Sequence, residues 1–330
     1  MKIVKRRTSS LALLICLWGF SVDMSVWAAD GLADAPANPV TLTVGISSNS
    51  SVAGFFNAFD KGYFSSAGLT INQQTLRNGA EAIPLLLNEQ IQISFTDVPS
   101  LAVAFDKGIS IKFVANAQYL AASGPTTDAI IARKDTIKSP ADLVGKTVAV
   151  VTLVSALTIN FRRAVVKDGG DDKKVKFVEL PQPSMIPAVQ SGTVDAAVVS
   201  EPFATQAEME GLQVGMRLGQ YANPGAMTTG FATTEAIYNK NPKAIHAFVT
   251  ALNKGTQEVI DSIKGDHKLV NDLMLKYAKI PQNISEKMVY PTYETGPVSA
   301  ASIQPTLDSM FAFGHIKTKI TATDLVMKSF

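Results

Sequence analysis

Cysteine is almost absent from this sequence. The single cysteine among 330 residues is Cys16, close to the N-terminus. A lipoprotein signal would need a small residue before that cysteine, and Ile15 is not small. Disulfides, thiolate zinc sites and iron–sulfur clusters all need several cysteines, so the remainder of the chain excludes them. A thiol-free chain is well suited to an oxidising compartment.

Histidine is also scarce, and the familiar catalytic motifs are missing. The three histidines, His246, His267 and His315, all fall in the last third of the chain. None belongs to an H-E-x-x-H pattern, and there is no G-x-S-x-G elbow, Walker loop or dinucleotide fingerprint. We therefore expect no enzyme activity, no catalytic residue, no metal site and no cofactor.

Neither sign of charge dominates. The chain has 30 basic and 28 acidic residues, for a formal net charge of +2. Residues 1–28 contain four basic residues and one acidic residue, a net of +3, so the charge without them is −1 (2 − 3). This balance does not favour nucleic-acid binding. An apolar content of 46% over this length is enough for a large core and predicts two domains.

No long apolar run is present, and the one near the N-terminus is short. Basic residues within 2–7 precede the apolar run 11–20, and small residues follow at Ala28 and Ala29. The run is about half the length that a bilayer span needs, so a retained anchor is the weaker interpretation. The order is that of a secretory signal peptide. We expect residues 1–28 to be removed, with cleavage after Ala29 as the near alternative, and the protein to reach the periplasm.

Short β-like and helical segments alternate from Val40 onward. Thr41–Ile46 has apolar residues at every second position, and Val52–Asp60 has a helical pattern. This rhythm predicts a parallel, doubly wound sheet with helices on both faces. It starts again after the polar stretch Ala121–Thr127, so we expect two similar α/β halves. Beyond Thr234 the pattern is almost entirely helical.

Five segments in chain order carry a likeness to a known family. They are Val44–Ile71 (with FFNAFDKGYFSSAGLTI), Leu85–Ala115 (LLLNEQIQISFTDVPSLAVAFDKGISIKFVA), Ile137–Val151 (IKSPADLVGKTVAVV), Pro187–Leu212 (PAVQSGTVDAAVVSEPFATQAEMEGL) and Asn241–Gly255 (NPKAIHAFVTALNKG). Together they resemble the nitrate/sulfonate/taurine and thiamine-pyrimidine-precursor binding proteins of ABC importers. The likeness covers essentially the whole chain after the signal peptide.

The resemblance implies a type II periplasmic binding protein with two lobes that close like a Venus flytrap, each built on a doubly wound sheet. Lobe 1 would comprise residues 40–120 plus 228–330, and lobe 2 residues 121–227. A small organic molecule, sulfonate- or carboxylate-like or pyrimidine-like, would bind in the cleft. The implied partners are that ligand and an ABC permease and ATPase complex at the inner membrane. The binding protein itself would be a monomer.

The fold implied by the resemblance places the loops after the strands at the cleft. The candidate ligand-binding residues there are Ser48, Asn49, Phe55, Thr96, Asp97, Tyr119, Ser155, Thr158, Met185, Glu201 and Thr229. These loops contain no lysine or arginine, so an anion would rely on backbone N–H groups where a helix begins at Ser155–Thr158. Asp97 and Glu201 would instead suit an amine or a ring N–H. Departures from the family pattern at residues 88–92 and 152–158 leave the choice of ligand open.

Simpler structural roles stand beside several of these assignments. Phe55 lies on a predicted helix and could belong to the core, and Tyr119 could pack at the crossing between lobes. Asp97 precedes a proline and could only shape a turn. Glu201 would favour the start of a helix without any ligand.

Two other functions remain open at this stage. A periplasmic sensor subunit that presents its ligand to a receptor would close around that ligand in the same way. A relative on this fold makes a thiamine pyrimidine with histidine and a cysteine-rich iron site. The absence of cysteine after residue 16 makes that chemistry the less favoured alternative.

Overall fold

The computed structural model describes residues 39–221 and 223–328. The predicted signal peptide, with Cys16 and the cleavage point, lies outside the described residues. Among the helices of the described ranges, none combines the length and the apolar character needed to cross a bilayer.

Two five-stranded sheets organise the described residues. The strands are β1 (Val40–Ile46), β2 (Leu69–Thr75), β3 (Ile93–Asp97), β4 (Ile111–Tyr119), β5 (Ala129–Ala132), β6 (Thr147–Val150), β7 (Lys176–Glu179), β8 (Ala196–Val199), β9 (Gln213–Arg217) and β10 (Met227–Thr234). The first sheet has the order β2-β1-β3-β10-β4 and the second β7-β6-β8-β5-β9. The predicted α/β fold with two doubly wound sheets is confirmed.

Each sheet contains one strand that runs against its neighbours. β10 pairs antiparallel with β3 and β4, and β5 pairs antiparallel with β8 and β9, whereas the remaining pairs are parallel. The two doubly wound sheets are therefore mixed, and the parallel arrangement predicted from the sequence was wrong only at these two strands. Both enter their sheet directly from the other sheet, so neither needs the helical crossover that a parallel neighbour requires. The chain passes between the sheets after β4 and after β9.

Helices cover both sheets and fill the C-terminal third. Within the described ranges the α-helices are α1 (Ala53–Asp60), α2 (Tyr63–Ser66), α3 (Ala82–Leu87), α4 (Val98–Asp106), α5 (Ala156–Lys167), α6 (Gln182–Gln190), α7 (Phe203–Met209), α8 (Glu235–Lys240), α9 (Pro242–Lys264), α10 (Lys268–Leu273), α11 (Gln282–Ser285) and α12 (Ala300–Ala312). The almost entirely helical pattern expected beyond Thr234 is interrupted after α11, which ends at Ser285. Pro291 disfavours helical backbone at the residue before it.

An aromatic cluster forms the centre of the first sheet's core. Phe55 packs 6.0 Å from Phe231 and 6.3 Å from Phe248 between ring centroids, and Phe64 stacks on Phe248 at 5.1 Å. Phe55 is fully buried in this cluster. The structure thus gives Phe55 the core position, not the cleft position that the sequence predicted for it. The helix face that carries it turns toward the sheet.

The crossing of α1 and α9 depends on Gly255. A Cβ atom at this position would lie 2.5 Å from the Gly54 carbonyl oxygen and 2.6 Å from the Ala58 nitrogen. We expect Gly255→Ala to lower the free energy of unfolding by about 1–2 kcal/mol, because overpacking costs more than the gain of about 1 kcal/mol in helix propensity. Urea unfolding of the chain without residues 1–28 measures this. Lys243→Ala, on the exposed side of α9, is the control. A Gly255→Ala protein as stable as the wild type would contradict the close crossing.

Candidate functional site

A cavity of about 160 Å³ lies between the two sheets, at the ends of strands from both. From the half of the protein that contains the first sheet, it is lined by residues that lie at or just beyond the ends of strands, among them Ser47, Arg77, Gly79, Asp97 and Gln118. Thr229 lines it from near the beginning of the antiparallel strand β10. From the second half it is lined by Asp128, Thr152, Ser155, Ala156, Leu157, Gln182 and Ser200. Open α/β sheets generally bind ligands at this edge.

Four of the predicted site residues line this cavity: Asn49, Asp97, Ser155 and Thr229. Asn49 and Ser155 are both helix N-caps. The Asn49 side chain accepts a hydrogen bond from the Ser51 backbone N–H, and the Ser155 side chain accepts one from the Thr158 backbone N–H. Ser48 is exposed and lies outside the cavity, although both of its neighbours line it.

Thr96 and Thr158 do not line the cavity, because their hydroxyl groups serve the loops around it. Thr96 Oγ1 donates to the Gly79 carbonyl at 3.2 Å, and Thr158 Oγ1 donates to the Thr152 carbonyl at 2.6 Å. Both threonines are fully buried. They hold Gly79 and Thr152, which do line the cavity.

Tyr119 and Met185 also lie away from the cavity. Tyr119 is 2% exposed, and its hydroxyl donates to Asn116 Oδ1 at 2.6 Å. Met185 is fully buried in a core cluster of the second sheet, on the inner side of α6. The structure therefore gives Tyr119 and Met185 packing positions.

Glu201 forms an ion pair with the partly exposed Arg217 instead of lining the cavity. Its Oε1 accepts hydrogen bonds from Arg217 Nη1 at 2.7 Å and from the Val289 N–H at 3.2 Å, and its side chain is fully buried. Its Oε2 accepts from the Thr205 N–H at 3.0 Å, near the start of α7. Glu201 and Arg217 belong to the half that contains the second sheet, whereas Val289 belongs to the C-terminal third, whose buried side chains pack in the core of the first sheet. The carboxylate therefore ties the two halves together.

The N-terminus of α5 forms one wall of the cavity. Ser155 is its cap, and the first helical residues, Ala156 and Leu157, line the cavity. The first N–H groups of a helix have no acceptor within the helix, and they carry the positive end of its dipole. This wall therefore favours a negatively charged group.

Arg77 adds a positive side chain that the sequence analysis missed. It follows β2, lines the cavity, and pairs with Glu81 at 3.5 Å while its side chain stays largely exposed. Two residues later, a Cβ atom on Gly79 would lie 2.6 Å from Thr96 Oγ1 and 2.8 Å from Asp97 Oδ2, so only glycine fits there. The Arg-Asn-Gly tripeptide is typical of a turn, which was the available sequence signal.

Asp97 places a carboxyl group at the cavity. It ends β3 and caps α4, with Oδ1 accepting from the Ser100 N–H at 2.8 Å. The residue is half-buried, and desolvation raises the pKa of the Asp97 carboxyl to about 6. The hydrogen bonds from Ser100 favour the charged form and only partly offset this effect.

A second carboxyl group, Asp128, comes from the other half. Burial raises its pKa, although Thr127 Oγ1 and Asn160 Nδ2 donate to it at 3.0 and 3.4 Å. Thr127 in turn accepts from Gln118 Nε2 at 2.9 Å, and Ser51 Oγ donates to Gln118 Oε1. A polar chain thus runs from the first half to the second beside the cavity.

Thr229 provides an unused polar atom. Its Oγ1 is buried and has no hydrogen-bond partner among residues 39–221 and 223–328. A buried hydroxyl without a partner costs free energy that a bound ligand can recover. In the same ranges, no group of three or more His, Cys, Asp or Glu side chains is placed to hold a metal ion.

Comparison with known proteins supplies relatives with this fold. Over 252 residues, 76% of this chain and 72% of the relative, the sequence is 27% identical to the taurine-binding periplasmic protein of Escherichia coli (strain K12). The alkanesulfonate-binding protein SsuA from Xanthomonas axonopodis pv. citri, bound to MOPS, has a similar fold, with a TM-score of 0.73 at 16% identity. That match covers 88% of this chain and 99% of SsuA.

A third similar structure is the ligand-binding component of an ABC-type import system from Staphylococcus aureus, solved with zinc bound. Its TM-score is 0.74 at 14% identity, over 88% of this chain and 97% of that one. The NMT1/THI5-like family matches residues 49–262, well over half of the sequence. This chain therefore belongs to the NMT1/THI5-like family.

Proposed function

We propose that this protein is the substrate-binding component of an ABC importer and that it captures a small zwitterionic organic acid, a sulfonate foremost, in the cavity between its sheets. The observation that carries the proposal is that positive and negative groups occupy different parts of the cavity lining. The helix α5 N-terminus and Arg77 provide positive potential, and Asp97 and Asp128 provide two carboxyl groups.

The anionic end of the ligand would bind at α5. Ala156 and Leu157 offer backbone N–H groups on this wall, which Thr152 and Ser155 also line. Sulfonate and carboxylate oxygens accept such hydrogen bonds, and a helix N-terminus needs no side-chain cation to hold them. Arg77 lies at the cavity as an exposed cation that adds charge without fixed geometry.

The cationic end of the ligand would bind at Asp97. A carboxylate without a positive partner is costly in a site that excludes water. Asp128 already has Thr127, Asn160 and the nearby Arg217, so Asp97 is the carboxylate with more to gain from an ammonium group. The taurine-binding relative carries a name that fits this pattern, since taurine has a sulfonate at one end and an amine at the other.

Several properties of the relatives support the role in import. They are named as binding proteins or binding components, one of them periplasmic and one part of an ABC-type import system. We propose accordingly that this protein acts in the periplasm after removal of residues 1–28. There it would work as a monomer that delivers its ligand to a permease and ATPase complex without altering it chemically.

A thermal-shift panel tests the proposal. We expect taurine at 100 times its dissociation constant to add about 2.7 kcal/mol of stability and to raise the Tm by several degrees. Ethanesulfonate lacks the amine and ethylamine lacks the sulfonate, so each should give a much smaller shift at the same concentration. Nitrate and a pyrimidine complete the panel.

Each outcome has a distinct meaning. A larger shift with ethanesulfonate than with taurine would remove the ammonium group from the proposal. A shift with the pyrimidine alone would replace the whole ligand class. Unchanged ligand recovered after incubation, measured by mass spectrometry, would support binding over turnover.

A further inference from the structure

A second cavity, of about 260 Å³, adjoins the first. We call it the tail groove. It is lined mainly by apolar side chains: Ala80, Ile83, Val103, Ala104, Ile109 and Val154. Ser100 and Lys107 complete the lining. Val154 belongs to the loop before α5, and the other residues belong to the first sheet's half, so both halves contribute to the tail groove.

The tail groove follows one face of α4. Ser100, Val103, Ala104 and Lys107 are spaced three and four residues apart, and such residues lie on the same side of a helix. Seven residues of helix span about 10 Å. The tail groove therefore leads from Ser100, next to Asp97, to the exposed Lys107.

The tail groove and the main cavity share three lining residues, Ala80, Ser100 and Val154. Ser100 lies within one turn of Asp97 on α4, and Ala80 and Val154 line the main cavity together with Asp97. An apolar group attached to a ligand nitrogen at Asp97 would therefore enter the tail groove without leaving protein contact.

We propose that the tail groove is a subsite for an apolar substituent on the ligand's nitrogen, so that N-alkylated amino sulfonates bind more tightly than the unsubstituted compound. This inference rests on the proposed function and extends it. The ammonium group stays at Asp97, the sulfonate stays at α5, and the alkyl chain replaces water along Ile83, Val103 and Val154. The open end at Lys107 allows chains of different length.

A titration series tests the tail groove. Calorimetry with taurine and with its N-methyl, N-propyl and N-pentyl derivatives is expected to show affinity rising about fourfold for each buried methylene group. Val103→Phe fills the tail groove and should abolish the rise while leaving the affinity for taurine unchanged. Val103→Ala is the matched control, because it keeps the space open and should preserve the rise. Equal affinities along the series in the wild-type protein would overturn the inference.

A probe that lacks both the ammonium and the sulfonate group separates this inference from the proposed function. If no taurine derivative binds, the proposed ligand class fails, and 1-hexanol then tests the tail groove alone. Methyl NMR signals of Ile83 and Val154 should shift with 1-hexanol in the wild-type and Val103→Ala proteins and not in the Val103→Phe protein. Absence of these shifts from the wild-type protein would overturn the subsite. A Val103→Phe protein that binds the whole series normally but no longer stimulates the importer's ATPase would overturn it too, and would assign the tail groove to the permease instead.

Discussion

Replacing Asp97 with asparagine is expected to weaken the binding of taurine at pH 7.5 by about 30-fold or more. Removing one member of a buried charge pair typically costs at least about 2 kcal/mol. Asparagine keeps the cap on α4, since its side-chain oxygen can accept from the Ser100 N–H as Asp97 Oδ1 does at 2.8 Å. The loss therefore reports the charge and not the helix. Calorimetry measures it, with Asp308→Asn on the exposed side of α12 as the control.

The same substitution should remove a pH dependence. The pKa of the Asp97 carboxyl is raised to about 6, so its charge disappears as the pH falls through that value. In the wild-type protein, taurine affinity should fall by about tenfold per pH unit below 6, whereas the Asp97→Asn protein should show a flat profile. A wild-type profile without this decline would contradict the assignment of Asp97.

The ligand-free protein should respond in the opposite direction. Because the folded state raises the pKa of Asp97, it binds the proton more tightly than the unfolded state does. Stability from this group is present at low pH and is lost as the pH rises from about 4 to about 6. The Asp97→Asn protein should therefore be more stable than the wild type at pH 7, even though it binds ligand less tightly.

Replacing Arg217 with methionine is expected to lower the free energy of unfolding by about 3 kcal/mol. The change leaves the carboxylate of Glu201, whose side chain is fully buried, with backbone N–H donors and no cation. For a chain of this size the Tm should fall by about 5 °C. Because Glu201 also accepts from the Val289 N–H, the contact between the two halves should loosen as well.

A double variant provides the control for this prediction. Glu201→Gln combined with Arg217→Met removes both charges and should recover much of the lost stability, because an uncharged pair is not penalised by burial. Thermal unfolding of the two single variants and the double variant measures the coupling. An Arg217→Met protein with wild-type stability would show that the partly exposed guanidinium contributes little.

Strand order explains which site residues could be predicted from the sequence. Asp97 ends β3, which runs parallel to β1, and Ser155 follows β6, which runs parallel to β7, so placing the ends of strands at the cleft identified both. Asp128 was missed because β5 is antiparallel, which brings its beginning to the same edge. Asp128 stands directly before a buried strand, and an acidic residue in that position can indicate a site. The sequence does not give the direction of the strand, which decides whether the residue lies at the cleft.

Side-chain direction explains the other differences. Side chains alternate along a strand, so Gln118 and Tyr119 point to opposite faces of β4. Tyr119 was the predicted site residue, but its ring is buried, whereas its neighbour Gln118 lines the cavity. Similarly, Phe55 and Met185 lie on the inner faces of their helices. Hydrophobic periodicity predicts that a helix has an inner face, but not how close that face lies to a cavity.

The position of β10 sets an order for folding. The strands of the second sheet all lie within residues 129–217, so that sheet can assemble from one continuous stretch of chain. The first sheet needs β10, residues 227–234, inserted between β3 and β4. Pairing segments so distant along the chain is slow. A chain that is synthesised from its N-terminus therefore leaves its first sheet unfinished until the residues of the second sheet have been made.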